Sequence, residues 1–214
     1  MLRLSIVLLF VSGSTLAQAT EMLNNPCQSP LELENNWAKT RYVTPSDKRI
    51  PEFTTMLIML NNAPLACLNS AEYQIIEAMI KGSMAKLQSR FKAIKQIKQI
   101  KRHLEKAIRR KPSAMNGLGW TLLGLLYDKS PGWPFSLGDD EKAEQAYLNG
   151  LKYNPDGMDA NYYYGDFLLR KGRLEEARKF LYKASQADLR SGHEIADQGR
   201  MGDIRRSFAK LARK

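Results

Sequence analysis

The order of apolar and polar positions divides the second half of the chain into helices. Glycines and prolines separate four apolar runs, which predict helices over about residues 113–128, 139–153, 158–171 and 174–187. A final helix is expected from about His193 to Ala212. Its apolar side comprises Ile195, Ile204, Phe208 and Leu211, and its solvated side comprises Arg200, Arg205, Arg206 and Lys210. The pattern therefore predicts an all-α fold for this half.

Two further helices are predicted between residues 69 and 113, and the second of them is long. The first begins at a capping box, with Asn69 as the cap and Glu72 three residues later, and is expected to break near Gly82-Ser83. The second is expected to run from about Met84 to Arg110. Its apolar face comprises Met84, Leu87, Phe91, Ile94, Ile97, Ile100 or Lys101, Leu104 and Ile108.

The chain before these helices shows little periodicity. Residues 20–69 are interpreted as an irregular N-terminal segment with short helices over 31–39 and 51–61, the latter with Pro51 in its first turn. The chain as a whole is predicted to have five parts, at residues 1–19, 20–69, 70–112, 113–187 and 188–214.

One arrangement of small and aromatic residues occurs twice between Ser113 and Ala187. Gly138, Ala143 and Tyr147 follow one another at intervals of five and four residues. Gly172, Ala177 and Leu181 stand at the same two intervals. Such a repetition is typical of a helix-turn-helix unit that stacks on its neighbours.

Two glycines lie inside the apolar runs of this region. Gly124 and Gly165 each cost about 1 kcal/mol relative to alanine within a helix. That cost is tolerated where a second helix must approach the backbone closely, and Ala143 and Ala177 are the small residues available to accept the approach. We therefore predict that both glycines lie at contacts between helices.

The first copy also carries the motif W-x2-L-G-x2-Y, formed by Trp120, Leu123, Gly124 and Tyr127, and the region 113–187 resembles the tetratricopeptide repeat. The resemblance implies an all-α helix-turn-helix stack of about two to three repeats, with the long basic helix before it and a C-terminal capping helix after it. It also implies a concave groove that binds a protein or peptide. The groove positions that it implies are Leu118, Thr121, Leu125 and Asp128 in the first repeat and Asp159, Tyr162, Asp166 and Leu169 in the second. Of these, Thr121, Asp128, Tyr162 and Asp166, together with Arg170, are the candidate binding residues. In an alternative interpretation these positions form a solvated surface, on which Asp166 and Arg170 pair with each other.

The first copy has seven more residues between its two helices than the second copy, and this insertion carries Trp133 and Phe135. These aromatic side chains are predicted either to seal their own repeat or to form a rigid lip beside the groove, which adds Trp133 to the candidate binding residues. The run from Ser130 to Ala143 is also similar to T-component proteins of tripartite periplasmic transporters. That similarity implies an alternative role as a ligand-binding module associated with solute transport.

Residues 1–19 have the organisation of a secretory signal peptide. Arg3 supplies the positive charge, Leu4 to Val11 form the apolar core, and Ala17-Gln18-Ala19 is a cleavage site. The apolar core is shorter than the roughly 20 residues of a membrane span, although a short membrane anchor is the alternative. We therefore expect export, to a periplasm-like compartment. Under oxidising conditions Cys27 and Cys67 are most simply paired in one disulfide.

Positive charge is concentrated in one segment. Residues 81–111 contain twelve Lys and Arg and a single Glu, so their net charge of +11 equals that of the whole chain. A face of this kind suits an anionic partner, such as anionic lipid, envelope phosphates or an acidic protein, while export disfavours nucleic acid. A solvated helix face is the alternative. The candidate residues are Lys92, Lys95, Lys98, Lys101 and Arg102.

The residue types argue against catalysis. The chain has two histidines, His103 and His193, and neither has a nucleophile or carboxylate at a recognisable spacing. We expect no catalytic residue, no metal, no cofactor and no membrane span after removal of the signal peptide. The sequence thus predicts an exported scaffold or adaptor that binds a protein or peptide in its groove. The alternatives are the transport-associated module and a binder of the envelope surface through the basic helix.

Overall fold

The computed structural model describes residues 27–132 and 137–213. Over these ranges the chain forms ten α-helices and no strand, so the predicted all-α fold is confirmed. The helices are α1 (Pro30–Tyr42), α2 (Ser46–Asn61), α3 (Leu65–Leu68), α4 (Ala71–Leu87), α5 (Arg90–Arg110), α6 (Leu118–Lys129), α7 (Asp140–Tyr153), α8 (Met158–Arg170), α9 (Leu174–Ser185) and α10 (Glu194–Leu211). The predicted signal peptide, and Trp133 and Phe135, lie outside the described residues.

Helices α4 to α9 form three consecutive hairpins. Within the hairpins, α4 packs on α5, α6 packs on α7, and α8 packs on α9. Neighbouring hairpins are joined by contacts of α5 with α6 and of α7 with α8. α10 follows the last hairpin and packs on α8 and α9. The predicted stack of helix-turn-helix units is therefore confirmed, and it has three units. Within the described part of the chain, no helix combines the length and the apolarity that a membrane span requires.

The N-terminal helix joins the two ends of this stack. α1 packs on α4 in the first hairpin and also on α10 after the last one. Its buried residues Leu33, Trp37 and Ala38 share an apolar cluster with residues of α2 and α4. The segment before α1 is tied to α3 by the predicted disulfide between Cys27 and Cys67, whose Cα atoms are 5.6 Å apart.

Both predicted glycine contacts are confirmed. A Cβ atom on Gly124 would lie 2.8 Å from the ring of Tyr147 and 3.0 Å from the carbonyl oxygen of Ala143. A Cβ atom on Gly165 would lie 3.0 Å from the side chain of Leu181. Each glycine therefore permits the two helices of one hairpin to approach more closely than alanine would allow.

The predicted break at Gly82 and Ser83 was wrong, because α4 continues to Leu87. The Ser83 hydroxyl donates to the carbonyl oxygen of Met79 at 2.8 Å and accepts a hydrogen bond from the Trp37 indole at 2.9 Å. Ser83 is therefore accommodated inside the helix. The chain turns instead at Gln88, which has extended backbone angles.

Two helix starts also differ from their predictions. The cap of α4 is Ser70, one residue after the predicted Asn69, and its hydroxyl accepts from the backbone N–H of Tyr73 at 3.2 Å. α2 begins at Ser46, so Pro51 lies inside the helix and removes one backbone hydrogen-bond donor. Burial of the Phe53, Met56 and Leu60 face of α2 offsets that loss.

Candidate functional site

A cavity of about 550 Å³ lies between the hairpins and the helix that joins their ends. The first helices of the hairpins, α4, α6 and α8, line it together with α1, α5 and α10. Because α1 packs on both α4 and α10, it covers a side that an open stack would leave exposed. The volume lies within the range of about 300–1,000 Å³ that is common for small-molecule sites.

One wall of this cavity is apolar. Helices α4, α5 and α6 supply it, and α5 and α6 also pack against each other. Its side chains include Met79, Ile94, Ile97, Ile100, Leu122, Leu125 and Leu126.

The charged side chains that line the cavity include more cations than carboxylates. Two carboxylates line the cavity, Glu34 and Asp159. Five cations line it, namely Arg41, Lys86, Lys129, Arg190 and Arg200. The site therefore combines an apolar surface with an excess of positive charge.

Arg200 is the most completely bonded of these cations. Its guanidinium donates to Asp159 at 2.6 Å, to Asp203 at 2.9 Å and to the Tyr163 hydroxyl at 2.8 Å. Burial alone would raise the pKa of Asp159, but the charges of Arg200 and Arg190 outweigh it and hold that pKa below its ordinary value. The prediction that Arg200 lies on a solvated surface was wrong, because only 4% of the residue is exposed.

Lys86 and Arg41 are less completely compensated. Lys86 lines the cavity, is exposed to solvent and forms no ion pair with a described residue. Burial and the charges of Arg41 and Arg200 lower the pKa of Lys86 to about 8. The Nε atom of Arg41 is buried without a hydrogen bond, and a terminal nitrogen of Arg41 lies 3.7 Å from a carboxylate oxygen of Asp203.

Three of the predicted groove residues bond to one another. The Arg170 guanidinium donates to both carboxylate oxygens of Asp128 and, through Nε, to Asp166 at 3.2 Å. Asp166 also lies 3.3 Å from Lys129 and accepts from the Ser207 hydroxyl at 3.2 Å. This network links α6, α8 and α10, so these charges hold helices together.

The other predicted groove residues lie in different surroundings. Thr121 is buried, and its hydroxyl would be 2.5 Å from a Cβ atom placed on Gly150 of α7. Tyr162 is half-buried, with the Arg200 guanidinium 4.6 Å from its ring centroid. Trp133 lies outside the described residues. The assignment of all these residues to a binding groove stays a prediction.

The predicted basic face of α5 has two parts. Lys92, Lys95, Lys98 and Arg102 are exposed and form no ion pair with the described residues. Lys101 pairs with Glu105 at 3.1 Å. Near the end of α5, other cations bond to the loop and helix beside them: Lys106 and Arg110 bond to Asn69, and Lys111 pairs with Glu72.

The two histidines contact carboxylates. His103 lies between α4 and α5, with Nδ1 2.8 Å from Gln74 and Nε2 3.3 Å from Glu77, and burial lowers the pKa of its imidazole. His193 Nδ1 lies 3.3 Å from Glu34. Among the described residues, no group of three or more His, Cys, Asp and Glu side chains is placed to hold a metal ion.

Sequence reasoning missed the cations of the cavity wall. Lys86 and Arg41 face the cavity because α1 lies across α4 and α10, and no local pattern encodes that packing. The sequence contains one indication that Arg200 forms ion pairs. Asp197 and Asp203 stand three residues before and after it, on the same face of a helix.

One segment of the chain matches a known family. Residues 135–189 match the family model for the tetratricopeptide repeat, and this range includes all of α7, α8 and α9. No curated protein matches the chain. The similarity to T-component proteins stays a prediction. The chain therefore contains the tetratricopeptide repeat, a helical-repeat module of protein interaction that is typically non-catalytic, and its segment 135–189 belongs to that family.

Proposed function

We propose that the protein is an exported, non-catalytic adaptor that binds the acidic surface of a partner protein through the exposed face of α5. The observation that carries this proposal is the set of four exposed cations that lack a carboxylate partner among the described residues: Lys92, Lys95, Lys98 and Arg102. A tetratricopeptide segment in the same chain makes a protein the expected class of partner.

The four cations form one continuous surface. Their spacings of three, three and four residues place them on one face of a helix, over a length of about 15 Å. The opposite face of α5 is buried through Ile97, Ile100 and Leu104. This burial holds the helix in place, so a partner would meet a charged surface that is already ordered.

The strength of such an interface depends on the number of charges. A single exposed ion pair contributes about 0–1 kcal/mol, so one lysine would not hold a partner. Several pairs together steer association and give a strong dependence on salt, because the Debye length is about 8 Å at physiological ionic strength. The proposal therefore predicts a complex that weakens as salt rises.

Two observations support export to a periplasm-like compartment. Residues 1–19 have the pattern of a signal peptide. The disulfide between Cys27 and Cys67 is compatible with an oxidising compartment, where such bonds persist.

The groove implied by the family resemblance is less well supported as the binding surface. Asp128, Asp166 and Arg170 already bond to one another. α1 also covers part of the inner side of the stack. Peptide binding through Tyr162 and its neighbours remains the second candidate.

The experiment that tests the proposal is photocrosslinking in the cell that makes the protein. A photoreactive amino acid replaces Lys95, and in a matched control it replaces Lys179, which is exposed on α9. We expect a protein adduct from position 95 alone, with an acidic surface on the captured protein. The adduct should disappear when Lys92 and Lys98 are changed to Glu. The proposal is wrong if position 95 captures no protein, if the reversed variant retains the adduct, or if the face binds phosphatidylglycerol vesicles instead.

A further inference from the structure

The central cavity contains positive charge that the surrounding carboxylates do not fully compensate. Arg200 and Arg190 have close carboxylate partners, at 2.6 Å in Asp159 and 2.5 Å in Asp197. Lys86 has none among the described residues, and the Nε atom of Arg41 is buried without an acceptor. Lys86 and Arg41 both line the cavity, so an anion there would compensate their charge.

Lys86 and Arg41 belong to one cluster. Desolvation and the charges of Arg41, Arg200 and Lys129 lower the pKa of the Lys86 ammonium, and the single carboxylate of Asp203 acts in the opposite direction. These four cations come from α4, α1, α10 and α6, so the cluster exists only in the assembled stack. An anion bound beside Lys86 would be attracted by several cations at once.

The rest of the cavity does not suit a highly charged ligand. Its apolar wall extends from Met79 on α4 to Ile97 on α5 and Leu122 on α6. A phosphate or a sugar acid would leave this wall facing water. An apolar chain would cover it, at about 25 cal/mol for each Å² removed from water.

The geometry points to a ligand site inside the stack for a monocarboxylate with a long apolar chain, with its carboxylate beside Lys86 and Arg41 and its chain against α5 and α6. This site is separate from the protein-binding face of α5 in the proposed function, because Lys92, Lys95 and Lys98 do not line the cavity. The cavity of about 550 Å³ is large enough for a chain of this kind.

Binding of decanoate tests this site, measured by calorimetry on the full mature chain. Decan-1-ol serves as the neutral probe of similar length. We expect saturable binding of one decanoate per chain with a Kd below about 1 mM, and weaker binding of decan-1-ol. Lys86→Met keeps most of the side-chain volume and removes the charge. It should weaken decanoate binding by about tenfold or more and leave decan-1-ol binding unchanged.

Two further variants complete the test. Leu122→Trp places a larger side chain in the apolar wall and should prevent binding of both probes, with folding checked by circular dichroism. Lys179→Met, far from the cavity wall, should leave both affinities as they are. The inference is overturned if decanoate does not bind, if decan-1-ol binds as tightly, or if Lys86→Met leaves decanoate affinity unchanged. None of these results depends on the α5 face, so they leave the proposed function as a separate question.

Discussion

Lys92, Lys95 and Lys98 of α5 differ from Arg170 of α8 and Arg200 of α10 in what they face. Arg170 and Arg200 each bond to two carboxylates and link neighbouring helices. Lys92, Lys95 and Lys98 face water and pair with no described residue. The difference indicates that the same residue types stabilise the stack in one region and remain available to a partner in the other. Substitutions can test this division, because they should act on stability in the first region and on binding in the second.

Arg200→Met should have the largest effect on stability. It leaves Asp159 without its closest cation and leaves Asp203 only its contacts with Arg206 and Arg41, and breaking a buried ion pair from one side costs about 3–5 kcal/mol. Urea denaturation of the purified protein measures the change. Arg205→Met is the control, because Arg205 is exposed on the same helix and should change stability by less than about 0.5 kcal/mol. Equal losses in the two variants would contradict the structural role of Arg200.

Asp128→Asn should have the next largest effect. It retains the shape of the side chain but removes the charge that holds Arg170, and hydrogen bonds to charged groups contribute about 1.5–3 kcal/mol. The carboxylate of Asp128 is fully buried, so water cannot replace it. Asp156→Asn is the control, since that residue is exposed and pairs with the exposed Lys183. If Asp128→Asn is as stable as its control and a partner no longer binds, the groove is the binding surface after all.

The hairpins could be predicted from sequence because their signals are local. The intervals among Gly138, Ala143 and Tyr147 lie within ten residues, and the contact of Gly124 with Tyr147 follows from one turn between two helices. The break after α4 was placed too early, because Gly82 and Ser83 are common helix breakers and the contact of Ser83 with Trp37 is not local.

The cavity wall could not be predicted, because it depends on contacts between the ends of the chain. The Tyr42 hydroxyl donates to Asp203 at 3.1 Å, across 161 positions in sequence. Such contacts decide that Arg41 and Arg200 share one surface with Lys86. A periodic pattern identifies which face of α10 is apolar, but it does not show that α1 covers its polar face. The basic face of α5 was visible from sequence because it involves one helix alone.

Lys86→Met should have a smaller effect, of the opposite sign. The unfolded chain binds the Lys86 proton up to about the ordinary pKa of 10.5, whereas the folded chain releases it near 8. Between these values the unfolded state binds more protons, so Lys86 makes stability rise with pH, and below pH 8 its cost is constant. Lys86 is exposed, so water screens most of this cost. Lys86→Met should therefore raise Tm by at most about 2 °C at pH 7 and flatten the rise between pH 8 and 10.

Calorimetric melts from pH 6 to 10 measure this effect. The charged groups that face Lys86 are Arg41 on α1, Lys129 on α6, and Arg200 and Asp203 on α10. None of them is changed in the variant. Lys179→Met is the control, and it should leave the pH profile as in the wild type. A lower Tm for Lys86→Met at pH 7 would mean that Lys86 is already paired in the folded protein.

The triple change of Lys92, Lys95 and Lys98 to Glu should have the smallest effect on stability, of about 0.5 kcal/mol or less for each site. The three ammonium groups repel one another, and salt screens this repulsion as the Debye length falls from about 30 Å at 0.01 M to about 8 Å at 0.15 M. Raising the ionic strength from 0.01 M to 0.15 M should therefore increase the free energy of unfolding slightly more in the wild type than in the variant. Urea denaturation at the two ionic strengths measures this difference. A large loss of stability in the variant would show that the lysines hold α5 in place, and the division between structural and available cations would then fail. If the variant with only Lys92 and Lys98 changed to Glu is also stable and the photoreactive amino acid at position 95 no longer captures a protein, the function of α5 lies at its surface, because nothing else in the protein has changed.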